Sequence, residues 1–307
     1  MIRVNIVILN WNQAQLTVNT IDSIKKINHR HFDYQITLVD NGSTDGSQSR
    51  FEQIYRSDPR ICFVFHRQNL GYVDGNNSGI KLGLNGDFDY TLILNNDVLV
   101  DPNFLDKLIE FSQNNPQYSI FGPKIYFAPG HEFHRSRYQA SQLGKVIWSA
   151  GGQIDWKNLI GHNIGVDQVD RSQFDSVNDM VDFISGCCLL VKNSVFRQIG
   201  LFDSRYFMYL EDADFCQRAL QGGFKIAFLP GSIIWHINAG SSSSGGNLHH
   251  YFLSRNRLLF GFRYSSLRTK FSLIKQSLGI LLKPPSSWHR RGVIDYFLNN
   301  LNRGSWQ

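Results

Sequence analysis

No uninterrupted apolar run in the 307 residues approaches the roughly 20 that a membrane span requires, so a transmembrane helix is not expected. The opening Met-Ile-Arg-Val-Asn-Ile-Val-Ile-Leu is cut short by Asn10, Trp11 and Asn12 without a small-residue cleavage site, and no secretory leader is expected. Cysteine is scarce. Cys62, Cys187, Cys188 and Cys216 lack the paired spacing of a zinc site or a secreted disulfide framework, which leaves reduced thiols packing as small hydrophobes in a cytosolic protein. Acid is nearly missing from one end: residues 249–307 hold ten Lys or Arg and one Asp, a net charge of +9. The preceding 248 residues hold 21 basic and 24 acidic residues, net −3. A uniformly basic chain would suggest nucleic acid. An acidic body with a basic end suggests one localised anionic partner, and no nucleic-acid role is expected.

What the sequence does contain is ordinary globular composition, 42% hydrophobic and 18% charged, with a recurring strand-then-helix pattern whose strands end in polar residues. Residues 4–9 read as a buried strand and 13–27 as a helix. Residues 36–39 form a second strand, ending at Asp40-Asn41-Gly42-Ser43-Thr44-Asp45-Gly46-Ser47, a tight turn with a helix N-cap suited to a nucleotide's polar groups. A third strand, 61–65, precedes Asn69-Leu70-Gly71 and Gly75-Asn76-Asn77-Ser78-Gly79, read as a glycine-rich approach to a helix ending near Leu84. The fourth, Tyr-Thr-Leu-Ile-Leu at 90–94, stops abruptly at Asn95, Asn96 and Asp97. Ligands of open α/β sheets sit beyond the carboxyl ends of the strands. Asp97 therefore suits a hard cation such as Mg²⁺ or Mn²⁺ shared with substrate phosphates. The competing reading is a simple turn before Pro102.

Together, the runs at 39–47, 69–71 with 75–79, and Leu-Asn-Asn-Asp at 94–97 resemble the successive motifs of inverting glycosyltransferase family 2. They look most like its bacterial rhamnosyltransferase-like branch, and the resemblance covers roughly residues 3–262. It implies an α/β protein of the GT-A nucleotide-diphospho-sugar transferase fold, a mixed central sheet flanked by helices. The catalytic domain would be 1–248, donor-binding to about 126 and acceptor-facing from about 127, with a basic C-terminal helical extension over 249–307. By the same resemblance Asp40 contacts the base of a uridine or thymidine diphosphate sugar. Asn10, Asn41, Gly42, Asn69, Gly71, Asn76, Asn96 and Gly186 complete the donor site, and Asp97, with Asn95 and His236, holds the divalent metal. Two positions depart from the family. Asn95 stands where its Asp-x-Asp pattern has an acid and brings no charge, and Val73-Asp74 replaces a small pair, leaving Asp74 without a role.

Beyond these motifs, 102–114 reads as a helix and 120–126 as a strand, after which periodicity fails to residue 179. His131, His134, Arg135 and Arg137 in that stretch read as solvated loop residues rather than a second metal site. Residues 183–191 read as one buried strand carrying Gly186. Glu211, Asp212 and Asp214 open a helix, where acids suit the dipole on structural grounds alone. The family, however, places its catalytic base in a Glu-Asp pair that maps onto Glu211 and Asp212. Asp212 is the expected base, with Glu211 raising its pKa by repulsion and orienting the acceptor. Asp214 and Arg218, four apart, read as an ion pair. Residues 225–229 and 233–235 read as two short strands, 241–246 as a lid over the donor, and 249–264 as a helix whose Arg255 and Arg257 reach acceptor phosphates. Apolar residues among Lys270, Lys275 and Lys283 suit an anionic bilayer, placing the protein peripherally on the inner face of the cell membrane.

The expected activity is metal-dependent inverting transfer of a sugar to a hydroxyl of a glycan or polyprenyl-diphosphate-linked acceptor in surface-polysaccharide synthesis. L-rhamnose from dTDP-rhamnose is the first choice. UDP-linked glucose, galactose, galactofuranose and N-acetylhexosamine are alternatives, since no motif fixes the sugar. A nucleotidyltransferase would need a basic Gly-rich loop near the N-terminus, which Asn10-Trp11-Asn12 does not offer. A catalytically degenerate sugar-nucleotide-binding protein is the reading that Asn95 keeps open.

Overall fold

The computed structural model describes residues 1–177, 179–237 and 246–306. Strands and helices alternate through β1 (Ile2–Asn10), α1 (Ala14–Ile24), β2 (Phe32–Asp40), α2 (Ser47–Tyr55), β3 (Ile61–Phe65), α3 (Gly71–Asn85) and β4 (Tyr90–Asn95). These four strands are parallel, with β1 between β2 and β4. Val4, Ile6, Val7 and Ile8 of β1 have no exposed surface, as a strand covered on both faces requires. From β1 the chain winds outward to β3, then returns to lay β4 on the other side. That reversal opens a crevice at the carboxyl ends of β1 and β4.

The remainder comprises β5 (Val98–Val100), α4 (Phe104–Asn114), β6 (Tyr118–Phe127), β7 (Ile147–Ser149), β8 (Gly152–Asp155), β9 (Ile160–Asn163), β10 (Cys188–Lys192), α5 (Asn193–Ile199), α6 (Glu211–Gln221), β11 (Lys225–His236), α7 (Asn247–Tyr264), α8 (Leu267–Leu282) and α9 (Ser287–Phe297). The sheet runs β3-β2-β1-β4-β10-β6-β11-β5, with β7 beside β6. It is mixed: β10 is antiparallel to β4 and β6, and β5 to β11. Only Asn96 and Asp97 separate β4 from β5, yet β5 pairs at the far edge. The sheet must therefore curl, which brings the end of β11 back to Asp97.

Four expectations need correction. Residues 71–85 are already helix, and Gly75, Gly79 and Gly83 recur every four residues on its sheet-facing side. A Cβ there would lie 2.5 Å from Leu9, 2.4 Å from Val7 and 2.4 Å from Asn5, so these glycines seat α3 on β1. The strand expected over 183–191 starts at Cys188, which leaves Gly186 in the turn before it. Residues 225–236 are one strand, with a register shift between Leu229 and Ile233 that accommodates Pro230. The irregular stretch after β6 holds β7 and the β8–β9 hairpin, while His131, His134, Arg135 and Arg137 are exposed as expected. The lid expected over 241–246 falls, except for Gly246, outside the described residues.

The basic C-terminal helices share the core of the sheet domain. Leu258, Leu259, Phe260, Leu273 and Val293 pack in one cluster with Phe215, Ile226 and Phe228. All four cysteines are unpaired, and burial pushes the thiols of Cys187, Cys188 and Cys216 up.

Candidate active site

The floor of the crevice is a chain of side-chain hydrogen bonds linking three strand ends to α1. Asn10 donates to Asp40 at 2.7 Å, Thr17 donates to Asn10 at 2.7 Å, and Asn96 donates to Thr17 at 2.9 Å. Asp40 also accepts from the Ser43 amide at 2.9 Å and from Gln48 at 2.8 Å. Asn41 staples the start of α3 to the end of β2 through Asn69, Leu70 and Gly71, each at 3.0 Å. Gly71 turns there with φ +84°, and a Cβ would sit 2.4 Å from the Phe207 ring. Over this floor lies a cavity of about 210 Å³, reached by Trp11, Asn41, Asn69, Gly71, Tyr72 and Asn96.

That placement sorts the expected donor residues. Asn41, Asn69, Gly71 and Asn96 line the cavity. Asp40 and Asn10 are fully buried beneath it and Asn76 nearly so, inside α3, while Gly42 shapes the turn with φ +73°. None of these four lines it. Direct contact between Asp40 and a base would require the turn to open, because Asp40 has no exposed surface. Asp74 acquires a role: it accepts from Ser204 and, at 3.0 Å, from Asn302, tying α3 to the C-terminal segment. That segment carries Arg303 and Trp306 into the cavity wall. Nothing in the sequence signals the return.

A second cavity, about 520 Å³, shares Leu9, Tyr72, Asn96 and Met208 with the first and contains both acidic centres. On one side Asp97 lies 3.1 Å from Nε2 of His236, both nearly buried, with the imidazole edge-on to Trp148. The Tyr72 hydroxyl donates to the Gly186 carbonyl at 2.8 Å and lies 3.3 Å from Oδ1 of Asn95. No third His, Cys, Asp or Glu joins Asp97 and His236 among the described residues, and Nδ1 of His236 is buried without a hydrogen-bond partner there. One carboxylate and one imidazole fit a divalent ion whose remaining ligands are phosphate and water oxygens.

Across the cavity stand Glu211 and Asp212, at the start of α6. Phe207, Tyr209 and Leu210 just before them have positive φ of 63°, 68° and 69°, a conformation that L residues hold only under constraint. The constraint comes from α7. Asn256 donates to the carbonyls of Tyr206, Met208 and Tyr209 at 3.0, 2.7 and 2.9 Å, and Arg255 to those of Arg205 and Tyr206 at 3.1 and 2.8 Å. Arg255 has no exposed surface, and Arg257 donates to the Asn158 carbonyl and Gln276, so the expected reach of these arginines to acceptor phosphates is corrected to loop clamping and helix packing. Asp214 is the buried hub expected of an ion pair, accepting from Arg218 at 2.8 Å and also from Arg263 and Tyr264.

Asp212 accepts backbone N–H bonds from Gly186 at 2.9 Å and Ala213 at 2.8 Å. Burial raises its pKa, and those N–H groups oppose the rise. Glu211 is pushed up further, by burial and then by Asp212, and its Oε2 has no partner among the described residues. The expected repulsion therefore acts mainly on Glu211, whose pKa is raised by burial and by Asp212, while two backbone N–H groups favour the ionised form of Asp212. Gly186 serves the pair by fixing Asp212. Because the native pKa of Glu211 is raised, the native state binds more protons and stability falls as pH climbs above the ordinary value of 4.5. In Glu211→Gln that downward slope should be shallower, as thermal denaturation across the pH range would show.

A groove of about 1040 Å³ elsewhere, bounded by Tyr126 and Trp235, is larger, but its buried Lys124 is paired with Asp170 at 2.8 Å and Asp175 at 2.6 Å. It brings no catalytic pair together.

The family described as Glycosyl transferase family 2 matches residues 5–200. An N-acetylglucosaminyl-diphospho-decaprenol L-rhamnosyltransferase of Mycobacterium tuberculosis is 30% identical over 215 residues, 67% of each chain. Rhamnosyltransferase WbbL of Escherichia coli K12 is 22% identical over 272 residues, 80% of this chain and 97% of its own. Among solved structures, a Pyrobaculum calidifontis mannosyltransferase in complex with GDP-Man and Mn²⁺ superposes with TM-score 0.58 and 12% identity, covering 97% of this chain and 74% of that one. GalNAc-T7 with UDP, GalNAc and Mn²⁺ gives TM-score 0.63 and 15% identity over 93% of this chain and 58% of its own. At such identities the solved structures show the fold, and the family match reaches from β1 into the turn after α5. The chain belongs to glycosyl transferase family 2, and it is a glycosyltransferase with a GT-A-like mixed sheet.

Proposed function

We propose that the protein is a divalent-metal-dependent, inverting sugar transferase that moves L-rhamnose from dTDP-rhamnose to a hydroxyl of a glycan or polyprenyl-diphosphate-linked acceptor in bacterial surface-polysaccharide synthesis. The observation that carries the reading is that Asp97–His236 and Glu211–Asp212 line one cleft. Residues 1–126 hold the donor, the nucleotide lying against Trp11 and Asn41, and residues 127–248 face the acceptor. Asp212, ionised and fixed by two backbone N–H groups, takes the proton of the acceptor hydroxyl as its oxygen attacks the anomeric carbon. The bond from that carbon to the diphosphate breaks on the opposite face, which inverts the configuration. Asp97 and His236 would hold a divalent ion, which would supply positive charge to the departing diphosphate. Glu211 beside the base, its pKa raised by burial, can donate a hydrogen bond when protonated.

Rhamnose is favoured by the two rhamnosyltransferase relatives, and a UDP-sugar by the UDP of the GalNAc-T7 structure. Calorimetric titration of dTDP and of UDP, each with and without Mn²⁺, tests the proposal. Metal-dependent binding favouring dTDP is expected. Preference for UDP would move the donor to the hexoses, and binding of neither would overturn the donor reading. Trp11 is 47% exposed and should be replaceable without harm to the fold, so Trp11→Ala should weaken nucleotide binding by about tenfold if its ring stacks on the base.

A further inference from the structure

On α8 the apolar residues Leu267, Phe271, Ile274, Leu278 and Leu282 recur at intervals of four, three, four and four, which places them along one face of the helix. That face is not packed on the protein: the five side chains are 74%, 72%, 39%, 55% and 87% exposed. It runs into an apolar groove between α8 and α9, whose rim carries the exposed Phe297 and Leu298. At 100° per residue Lys270 and Lys275 fall on either side of the stripe. Arg268, Lys283, Arg290 and Arg291 are also exposed nearby, and none of these six cations makes an ion pair among the described residues. The only acid of residues 249–307, Asp295, is buried and bonded to Tyr251 and Ser305. No helix of the described residues is long and apolar enough to cross a membrane.

We infer that this face of α8, with the tip of α9, is a membrane-docking surface that lies in the interface of an anionic bilayer, the apolar stripe among the acyl chains and the lysines at the headgroups. Charge decides between occupants. A second copy docked face to face would oppose Lys270 and Lys275 with their own counterparts, which penalises association. Anionic lipid matches both the apolar stripe and the unopposed cations. The surface is rigidly joined to the active site: α7 supplies Leu248 and His249 to the cavities at one end, leads into α8 at the other, and packs along α9. The inference deepens the proposed function, because a lipid-linked acceptor would be presented from that same bilayer.

The test is co-sedimentation of the full chain with phosphatidylcholine vesicles, with and without phosphatidylglycerol, beside light scattering and nucleotide calorimetry. Binding confined to the anionic vesicles is expected. Leu267→Glu/Phe271→Glu/Leu278→Glu should abolish it. Lys270→Glu/Lys275→Glu should weaken it by about tenfold or more, in a salt-sensitive way. Both variants alter exposed or half-buried positions of α8 away from the cavities and should retain the parent's nucleotide affinity, which separates failure of the docking surface from failure of the donor reading. Unchanged vesicle binding by the triple variant would overturn the inference, as would a parent that ignores anionic vesicles. A parent dimer that the triple variant converts to monomer would give the face to a second copy instead.

Discussion

Asp212→Asn is expected to lower transfer by about 10²- to 10⁴-fold, the range lost with a general base, while nucleotide binding persists. The substitution keeps the size of the side chain but removes its capacity to accept a proton. It also turns one N–H toward either Gly186 or Ala213, so one of the two holding bonds is lost. The loss should therefore appear in kcat with little change in donor KM. The parent's pH profile supplies an independent check. Asp212 must be ionised to act, and burial raises its pKa above the ordinary carboxylate value, so activity should fall on the acid side at a pH higher than an exposed aspartate would give. Glu211→Gln should keep that acid limb, because Asp212 is the group that must be ionised to act. A variant Asp212→Asn that retains the parent's rate and pH profile would remove Asp212 from the role of base.

The parts of this architecture that could be read in advance are those in which chemistry and position coincide along the chain. Residues 90–97 are legible because a strand buried on both faces must be apolar, and because the residues that end it must be polar to line a crevice. The Glu211–Asp212 pair is legible for a similar reason, since two acids opening a helix sit together whatever the rest of the chain does. Glycine misled where its two uses look alike. Gly75 and Gly79 suggest a loop by composition, yet their spacing of four already matches a helix packed closely on a strand, as their distances to Leu9 and Val7 require. Burial misled where a polar residue serves the scaffold. Asp40 and Arg255 look exposed by type, but each satisfies several backbone or side-chain partners away from solvent. Long-range closure was invisible: Asn302 meets Asp74 across 228 residues, and nothing local to either announces it. The positive φ values at 207, 209 and 210 are equally hidden, because they are imposed by Asn256 rather than preferred by Phe, Tyr or Leu.

Asp97→Ala is expected to remove the metal-dependent part of nucleotide binding and to reduce transfer by about 10²- to 10³-fold, comparable to losing one preorganised group that stabilises developing charge. The dependence on this residue should be steep because Asn95 is neutral, so Asp97 is the one carboxylate that the turn between β4 and β5 offers. The turn itself should survive. Its backbone bond from the Ile237 amide to the Asp97 carbonyl, at 2.8 Å, does not involve the side chain, and the Thr20 hydroxyl independently sits 2.8 Å from the carbonyls of both Asn96 and Val98. His236→Ala should act in the same direction but less strongly, by about tenfold in metal affinity, since it removes a neutral ligand and leaves the charge. Restoring an acid by Asn95→Asp should tighten Mn²⁺ binding, because it adds a second hard oxygen ligand with charge beside Tyr72. Mn²⁺ titrations in the presence of dTDP separate these cases. An ordered series, Asn95→Asp tightest and Asp97→Ala weakest, would identify the strand end as the diphosphate–metal site. Identical titrations across the series would return Asp97 to the role of a turn residue, paired with His236 for packing alone.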